Sequence, residues 1–304
     1  MRRSGVAFWV RRSALVALAA LSASCAATAT STGASADATA QADGQGSDGT
    51  ASDGTSGDGS ADSAADSSPD VASADAAVDA STDAAAGICK ATPPLCTDDQ
   101  ILELNLLKSV SKRTIVNTAE TMGFLSEVDA TAGGFNPSES FLYARFTATG
   151  LERVDISDQA SLDSTEWDIA FRRYIVRLNS GVSGPSCVAA GVLPVKTDYD
   201  QVTTASSSVT MKTEAYYDKG CLMVEDGSGL KAPGTVLSPW WQYANCVQTT
   251  GAVFQVTLAD QRKLKLMITD FYAPTAQKTC NSSGAVPQGS VGAKLRMRWA
   301  ELPK

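Results

Sequence analysis

The 304-residue sequence contains no histidine. Histidine is the most frequent general base and metal ligand near neutral pH, so Ser-His-Asp and Cys-His catalytic arrangements are excluded. The seven cysteines form no C-x-x-C pair, which argues against a zinc site and a thioredoxin-like redox centre. Phosphate loops, dinucleotide fingerprints and basic aromatic runs are also missing. These absences predict that the protein is not an enzyme and does not bind nucleic acid.

Long hydrophobic runs are scarce as well. The apolar run at residues 14–21 follows four arginines and is far shorter than the roughly 20 residues of a membrane-spanning helix. Small residues then lead into Cys25, as in the lipobox of bacterial lipoproteins. Residues 1–25 are therefore predicted to be a lipoprotein signal peptide, with Cys25 as the lipid attachment site. Ordinary signal-peptidase cleavage near Ala23 is the alternative.

The residue after Cys25 is Ala26 and not aspartate. By resemblance to Gram-negative lipoproteins, this favours lipid anchoring in the outer membrane and exposure at the cell surface. The membrane, reached through the lipid anchor, is thus one predicted partner.

Residues 26–86 consist almost entirely of Ala, Ser, Asp, Gly and Thr. This stretch lacks aromatic residues and a hydrophobic period, so it cannot bury enough apolar surface to offset the entropy of ordering. It is predicted to be a disordered tether. Eleven aspartates and no basic residues lie at 30–86, so the acidity of the chain belongs to the tether and says nothing about a ligand.

The cysteines other than Cys25 are even in number, as expected for an exported chain with up to three disulfides. Six cysteines allow fifteen pairings, and the sequence does not choose among them. We expect the pairs Cys89–Cys96 and Cys246–Cys280. The disulfide candidates are Cys89, Cys96, Cys187, Cys221, Cys246 and Cys280.

Residues 87–304 are predicted to form one mostly antiparallel, all-β domain. Only residues 98–108 have a helical pattern, which predicts one short helix after the tether. Short alternating runs predict strands, and a hairpin turn is expected at 259–262. The predicted strands lie at 141–148, 151–157, 167–178, 209–218, 252–258, 263–273 and 294–302.

Three segments carry a family resemblance: WDIAFRRYIVRLNSGVSG (167–184), FLYARFTATG (141–150) and LKLMITDFY (264–272). They resemble the HmuY family of bacterial surface lipoproteins, over roughly residues 100–304. The resemblance implies an HmuY-like fold and haem, or a related tetrapyrrole, as the ligand. It also implies an outer-membrane importer as a partner.

Haem iron requires axial donors, and Met, Cys or Tyr can serve where histidine is absent. Met211 and Met223 are the candidate haem ligands, because they lie between the two well-matched segments. Tyr216 and Tyr217 are weaker candidates. The alternative for each methionine is that it fills core space, as methionines on strands usually do.

The segment SPWWQYANC (238–246) supplies three rings, Trp240, Trp241 and Tyr243. They are candidates for stacking on a porphyrin or a sugar. Burial in the core is the favoured interpretation, because aromatic residues contribute the largest apolar burial.

Arginines punctuate the 167–178 strand at 172, 173 and 177. Arg172, Arg173 and Arg177 are candidates for pairing with ligand carboxylates. A solvated strand face, or pairing with nearby acids, is the favoured expectation. Glu166 and Asp168 are predicted to be an exposed or turn-closing pair and not an acid–base dyad.

The leading prediction is a lipid-anchored HmuY-like β protein that binds haem or a related tetrapyrrole for uptake. The alternative is a non-haem surface module that binds a protein or glycan partner on the same fold. A third interpretation is a disulfide-stabilised structural lipoprotein with no small ligand.

Overall fold

The computed structural model describes residues 91–132 and 138–303. The predicted signal peptide, the tether, Cys25 and Cys89 lie outside these residues. In the described part of the chain, no helix is long and apolar enough to cross a membrane.

The described chain is built mainly of short strands. The helices are α1 (Thr97–Glu103), α2 (Asp158–Ser161) and α3 (Pro274–Ser283), with 3-10 turns at Tyr199–Gln201 and Ser238–Trp240. The strands are β1 (Ile115–Ala119), β2 (Phe124–Asp129), β3 (Leu142–Thr147), β4 (Gly150–Val154), β5 (Ile169–Arg172), β6 (Ile175–Leu178), β7 (Ala189–Val192), β8 (Trp241–Tyr243), β9 (Val247–Thr249), β10 (Val253–Thr257), β11 (Lys263–Asp270) and β12 (Lys294–Leu302).

Two sheets carry the domain. One has six strands in the order β1-β2-β12-β11-β10-β7, and the other has four in the order β4-β3-β5-β6. Strands β8 and β9 form a separate two-stranded sheet. All these pairings are antiparallel. The predicted mostly antiparallel all-β fold is confirmed.

The main core is formed by the inward faces of these strands. Leu295, Met297 and Trp299 of β12 are buried, while Arg296 and Arg298 alternate with them and are partly exposed. This period of two places one face of the strand in the core and the other toward water.

One side chain joins the edge strands of the two sheets. Asn117 of β1 accepts a hydrogen bond from the Leu151 amide of β4 at 3.0 Å and donates to the Leu151 carbonyl at 3.1 Å. Ser126 donates to the same Asn117 oxygen at 2.7 Å, which orients the amide. Asn117 therefore makes with its side chain the two bonds that a neighbouring strand would make with its backbone.

The signature segment 167–178 is a hairpin, so the prediction of a single long strand was wrong. β5 pairs with β6 in a register that sets Arg172 opposite Ile175 and leaves Arg173 and Tyr174 as the turn. Arg173 has a φ of 54°, a conformation unusual for a residue with a side chain. Its amide donates to the Ala130 carbonyl at 2.7 Å, which helps to hold the turn in this conformation.

Two other predictions also require correction. Residues 209–218 do not form a strand. They make only single β-bridges, at Lys212 and at Tyr217, because no neighbouring strand pairs along their length. The predicted helix at 98–108 ends at Glu103, and α3 was missed. Pro274 at its start and Gly284 just after its end are the start and stop signals that mark α3.

Candidate functional site

Two arginines of the hairpin lie inside the protein, so the expected solvated face was wrong, whereas the expected pairing with a nearby acid is found for Arg172. Arg172 is 4% exposed and Arg177 is 0% exposed. Both guanidinium carbons lie over the Phe141 ring, 4.0 Å and 4.1 Å from its centroid. A desolvated contact of this kind contributes about 2 kcal/mol. These contacts hold the hairpin against the residue that precedes β3.

The buried positive charges have polar partners from distant parts of the chain. Arg177 donates to the Tyr143 hydroxyl at 2.7 Å and to the Tyr216 hydroxyl at 3.4 Å. Arg172 forms an ion pair with the buried carboxylate of Asp158 at 3.7 Å, and Tyr143 donates to that carboxylate at 2.9 Å. Because desolvating an ion costs several kcal/mol, such partners are required for the arginines to stay buried.

A second buried carboxylate, Glu214, belongs to the same region. It accepts hydrogen bonds from the backbone amides of Leu178 at 2.8 Å and Val236 at 2.9 Å. Burial raises the pKa of Glu214 to about 7, although these two amides and the charge of Arg177 act in the opposite direction. Glu214 thereby connects the end of β6 to the segment before Ser238.

Asp168 is buried, which contradicts the predicted exposed pair with Glu166. Its carboxylate accepts a hydrogen bond from the Phe146 amide at 2.9 Å, and burial raises its pKa to about 6. Glu166 is exposed. The two carboxylates occupy different environments, and Asp168 stabilises the junction between β3 and the hairpin.

A cavity of about 190 Å³ opens between the hairpin turn, the end of α1 and the loop 221–233. Arg172, Arg173, Tyr174, Met223 and Lys231 line it together with the acid Glu103, Asn105 and apolar residues. It therefore combines one thioether, one phenol, three cationic side chains and one carboxylate. Thioethers are soft ligands for iron, and guanidinium groups bind carboxylates in pairs of hydrogen bonds.

Helix α1 and the hairpin are bonded together beside this cavity. Arg172 donates to the carbonyl of Leu104 and to that of Asn105, the latter at 3.3 Å. Burial lowers the pKa of Arg172 to about 10. This value is still well above neutral pH, so the guanidinium remains charged.

The loop that carries Met223 is held by a disulfide between Cys96 and Cys221. The predicted Cys89–Cys96 pair was therefore wrong, because Cys96 lies next to a cysteine 125 residues away. The predicted Cys246–Cys280 disulfide is confirmed. Cys187 is also disulfide-bonded.

The two candidate methionines lie in different surroundings. Met223 lines the cavity, whereas the Met211 sulfur lies 3.9 Å from the side-chain nitrogen of Gln255 on β10. Met211 is not among the residues that line this cavity. Tyr216 is fully buried, with its hydroxyl bonded to Arg177 and Ser183, so it supports the cluster under the cavity.

The three predicted stacking rings also differ in their surroundings. Trp240 and Trp241 are buried, which leaves them no open face for a ligand, while Tyr243 is half exposed. The Trp240 indole donates to the Tyr174 carbonyl at 3.1 Å, and Trp241 lies 4.6 Å from the Tyr174 ring. Both tryptophans thus support the hairpin turn from inside.

A larger cavity of about 580 Å³ lies elsewhere, beside Met122 and Tyr199. Its Arg298 is already paired with Glu120 and Asp200, each at 2.9 Å. The lining of this cavity has two acids and two basic residues, whereas the cavity at the hairpin turn has one acid and three basic residues and is therefore better suited to an anionic ligand.

Sequence reasoning missed Lys231 and Tyr174 at the cavity. Neither carries a local signal, because each reaches it through a turn whose direction depends on tertiary contacts. Lys231 has a φ of 55° in a loop with Gly227 and Gly229, and these glycines were the available hint of a sharp chain reversal.

Comparison with solved structures gives similar proteins of low identity. A putative lipoprotein from Bacteroides fragilis has a TM-score of 0.40 and 10% identity, covering 62% of this chain and 95% of that one. A putative HmuY-like heme binding protein from Bacteroides vulgatus has a TM-score of 0.37 and 15% identity, covering 61% and 95%. The apo HmuY analog of Tannerella forsythia has a TM-score of 0.34 and 16% identity, covering 64% and 99%.

No curated protein matches the chain. The family model described as HmuY protein matches residues 104–283, which is more than half of the sequence. This match includes the hairpin, the buried arginines and the loop that carries Met223. The chain belongs to the HmuY family.

Proposed function

We propose that the protein binds haem or a related tetrapyrrole at the cavity beside the hairpin turn. The observation that carries this proposal is that Met223, Arg172, Arg173 and Lys231 line one cavity in a member of the HmuY family. The Arg172 guanidinium is bonded within the protein and contributes only its positive charge. The cationic lining as a whole suits the two propionates of haem, and the thioether suits its iron. The protein then acts by binding its ligand and not by transforming it.

The size of the cavity limits how a tetrapyrrole is held. A volume of about 190 Å³ is below the 300–1,000 Å³ of typical ligand pockets. It accommodates one edge of a porphyrin, so the remainder of the macrocycle would lie across the mouth. A partly exposed ligand is consistent with a protein that hands its ligand to another protein.

Iron ligation by Met223 has a redox consequence. A thioether is a soft, neutral donor and stabilises reduced iron relative to oxidised iron. We therefore expect tighter binding of haem under reducing than under oxidising conditions.

The direct test is a titration of residues 26–304 with haemin, with and without dithionite, monitored in the Soret region. A shifted, saturable band is expected, stronger in the reduced sample. Met223→Ala should abolish the reduced-state shift. The absence of any saturable band in both states would refute tetrapyrrole binding.

Two matched variants separate the candidate ligands. Met211→Ala and Met122→Ala remove thioethers that lie outside this cavity, so both should leave the titration unchanged. If Met211→Ala alone removes the band, tetrapyrrole binding survives and the site is misplaced.

The small cavity also favours a second function, a non-haem surface module that binds a protein or glycan partner. Intact folding without any Soret response would support this alternative. The half-exposed Tyr243 is then the ring still available for stacking.

We further infer that the protein is a lipoprotein anchored in the outer membrane through Cys25 and that it passes its ligand to an outer-membrane importer. The lipobox before Cys25 and the polar 26–86 tether support this localisation. An anchored domain on a long tether could approach a neighbouring importer without leaving the membrane.

A further inference from the structure

Large apolar side chains are exposed on both sides of the Cys96–Cys221 disulfide. Leu95 is 70% exposed, Leu102 81%, Leu222 67% and Val224 49%. We call these four side chains the disulfide patch. Single exposed apolar residues are ordinary, but four of them on two short segments that a disulfide joins form a candidate interaction site.

The disulfide patch is held together by covalent and hydrogen bonds. The Cα atoms of Cys96 and Cys221 are 5.4 Å apart, which brings their neighbours Leu95 and Leu222 close to each other. The Gln100 side chain donates to the Leu95 carbonyl at 2.9 Å. On the other side, the Val224 amide donates to the Tyr216 carbonyl at 2.9 Å. A surface fixed in this way loses little conformational entropy when it binds.

Exposed acids surround the disulfide patch. They outnumber the exposed lysines of the same segments, Lys219 and Lys231, so the frame of the patch is negative. The exposed acids are Asp98, Asp99, Glu103, Asp218 and Glu225. A second copy of this chain would bring acids against acids, and an anionic lipid surface would be repelled for the same reason.

We propose that the disulfide patch docks a partner protein whose contact surface has an apolar centre framed by lysine and arginine side chains. The apolar centre contributes burial, and the opposite charges at the rim orient the encounter. The proposal uses exposed residues at 95–103 and 218–225. It does not depend on which ligand the cavity takes, although Glu103 of the acidic frame also lines that cavity.

The test is site-specific photo-crosslinking of the full chain in the producing cells. A benzoylphenylalanine replaces Leu102 or Leu222, and replaces Val195, which is 90% exposed elsewhere, as the matched control. One polypeptide should crosslink from both patch positions and not from Val195. Its crosslinked peptide should contain apolar residues next to Lys or Arg.

Binding of the purified partner then gives the quantitative result. Leu222→Asp and Leu102→Asp should each weaken affinity about tenfold or more, as for the central residues of interfaces, whereas Val195→Asp should not. The triple reversal D98K/D99K/E103K should slow association several-fold at low salt and lose this effect at high salt. Crosslinks only to a second copy, only to lipid, or no more than from Val195 would overturn the proposal.

Discussion

At the scale of single residues, Arg177 shows how strongly a buried charge depends on its surroundings. Replacing it with alanine would leave the hydroxyls of Tyr143 and Tyr216 without its hydrogen bonds and the buried Glu214 carboxylate without its positive charge. We expect Arg177→Ala to lower the free energy of unfolding by about 3–5 kcal/mol, measured by urea denaturation.

Arg153→Ala is the matched control. Arg153 pairs with Asp155 at 2.8 Å in a solvent-exposed ion pair. Removing it should cost less than about 1 kcal/mol. Equal losses for both variants would contradict the role assigned to the buried cluster.

Glu214 predicts a pH dependence of stability. Its pKa of about 7 in the folded protein exceeds the ordinary value of 4.5, so the folded state binds more protons than the unfolded state between these values. The free energy of unfolding should therefore fall as the pH rises from about 4.5 to 7, through this group. Glu214→Gln removes its contribution and should flatten the dependence in urea titrations at several pH values.

Asp168 adds to the same slope, since its pKa is raised to about 6. The difference between the wild-type and Glu214→Gln curves gives the contribution of Glu214 to this pH dependence. An unchanged curve for Glu214→Gln would contradict the assignment.

Residue types alone could not predict this cluster. Arginine on an alternating strand normally faces water, and Asp158, Glu214 and Tyr216 approach Arg172 and Arg177 only through the fold. For the same reason the sequence ranked Met211 and Met223 equally. Only the disulfide at Cys221 and the turn at Lys231 bring Met223 to a cavity with cations.

At the scale of elements, the Cys96–Cys221 disulfide connects α1 to the loop that carries Met223. The double variant C96S/C221S should lower the free energy of unfolding by about 2–4 kcal/mol, measured by urea denaturation. It should also weaken the proposed haem binding several-fold in the Soret titration, because a smaller fraction of molecules would have the loop in place.

The Cys246–Cys280 disulfide is the matched control for this prediction. It joins the residue before β9 to α3, and neither of its cysteines lines the cavity. C246S/C280S should lower stability while leaving haem affinity unchanged. Equal losses of affinity in both double variants would indicate a general effect of stability and not a specific role of the loop.

Elements with strong periodicity were predicted well, and those set by turns were not. The alternation of Leu295, Met297 and Trp299 identified β12, with both faces assigned correctly. The hairpin at Arg173 was missed, because its turn contains no Gly, Asn or Pro. Its backbone conformation is instead supported by contacts with Ala130 and Trp240, which are far away in the sequence.

At the scale of the whole molecule, the predicted lipid anchor would place the domain at a membrane. Cys25→Ala should move the protein from the membrane fraction to the soluble fraction, because two acyl chains provide stable anchoring and their loss removes it. Immunoblotting of fractionated cells measures this. Ser24→Ala keeps a small residue before the cysteine and should stay in the membrane fraction, and membrane retention of Cys25→Ala would refute lipidation as the tether.

The fold class and the family could be predicted from sequence because the domain repeats short, alternating strands around a distinctive hairpin segment. The connection between the edge strands of the two sheets could not be predicted, since it depends on one side chain, Asn117. No periodic pattern marks an asparagine that takes the place of a strand.

Asn117 also affects how readily neighbouring copies of the domain can pair through their strand edges. Open strand edges are templates for pairing with identical chains, and proteins concentrated on a two-dimensional surface meet their copies often. By occupying the backbone groups of Leu151, the Asn117 side-chain amide removes part of that template from β4. If the domain is anchored at a membrane as proposed, this one side chain reduces the strand edge that is open to pairing with neighbouring copies.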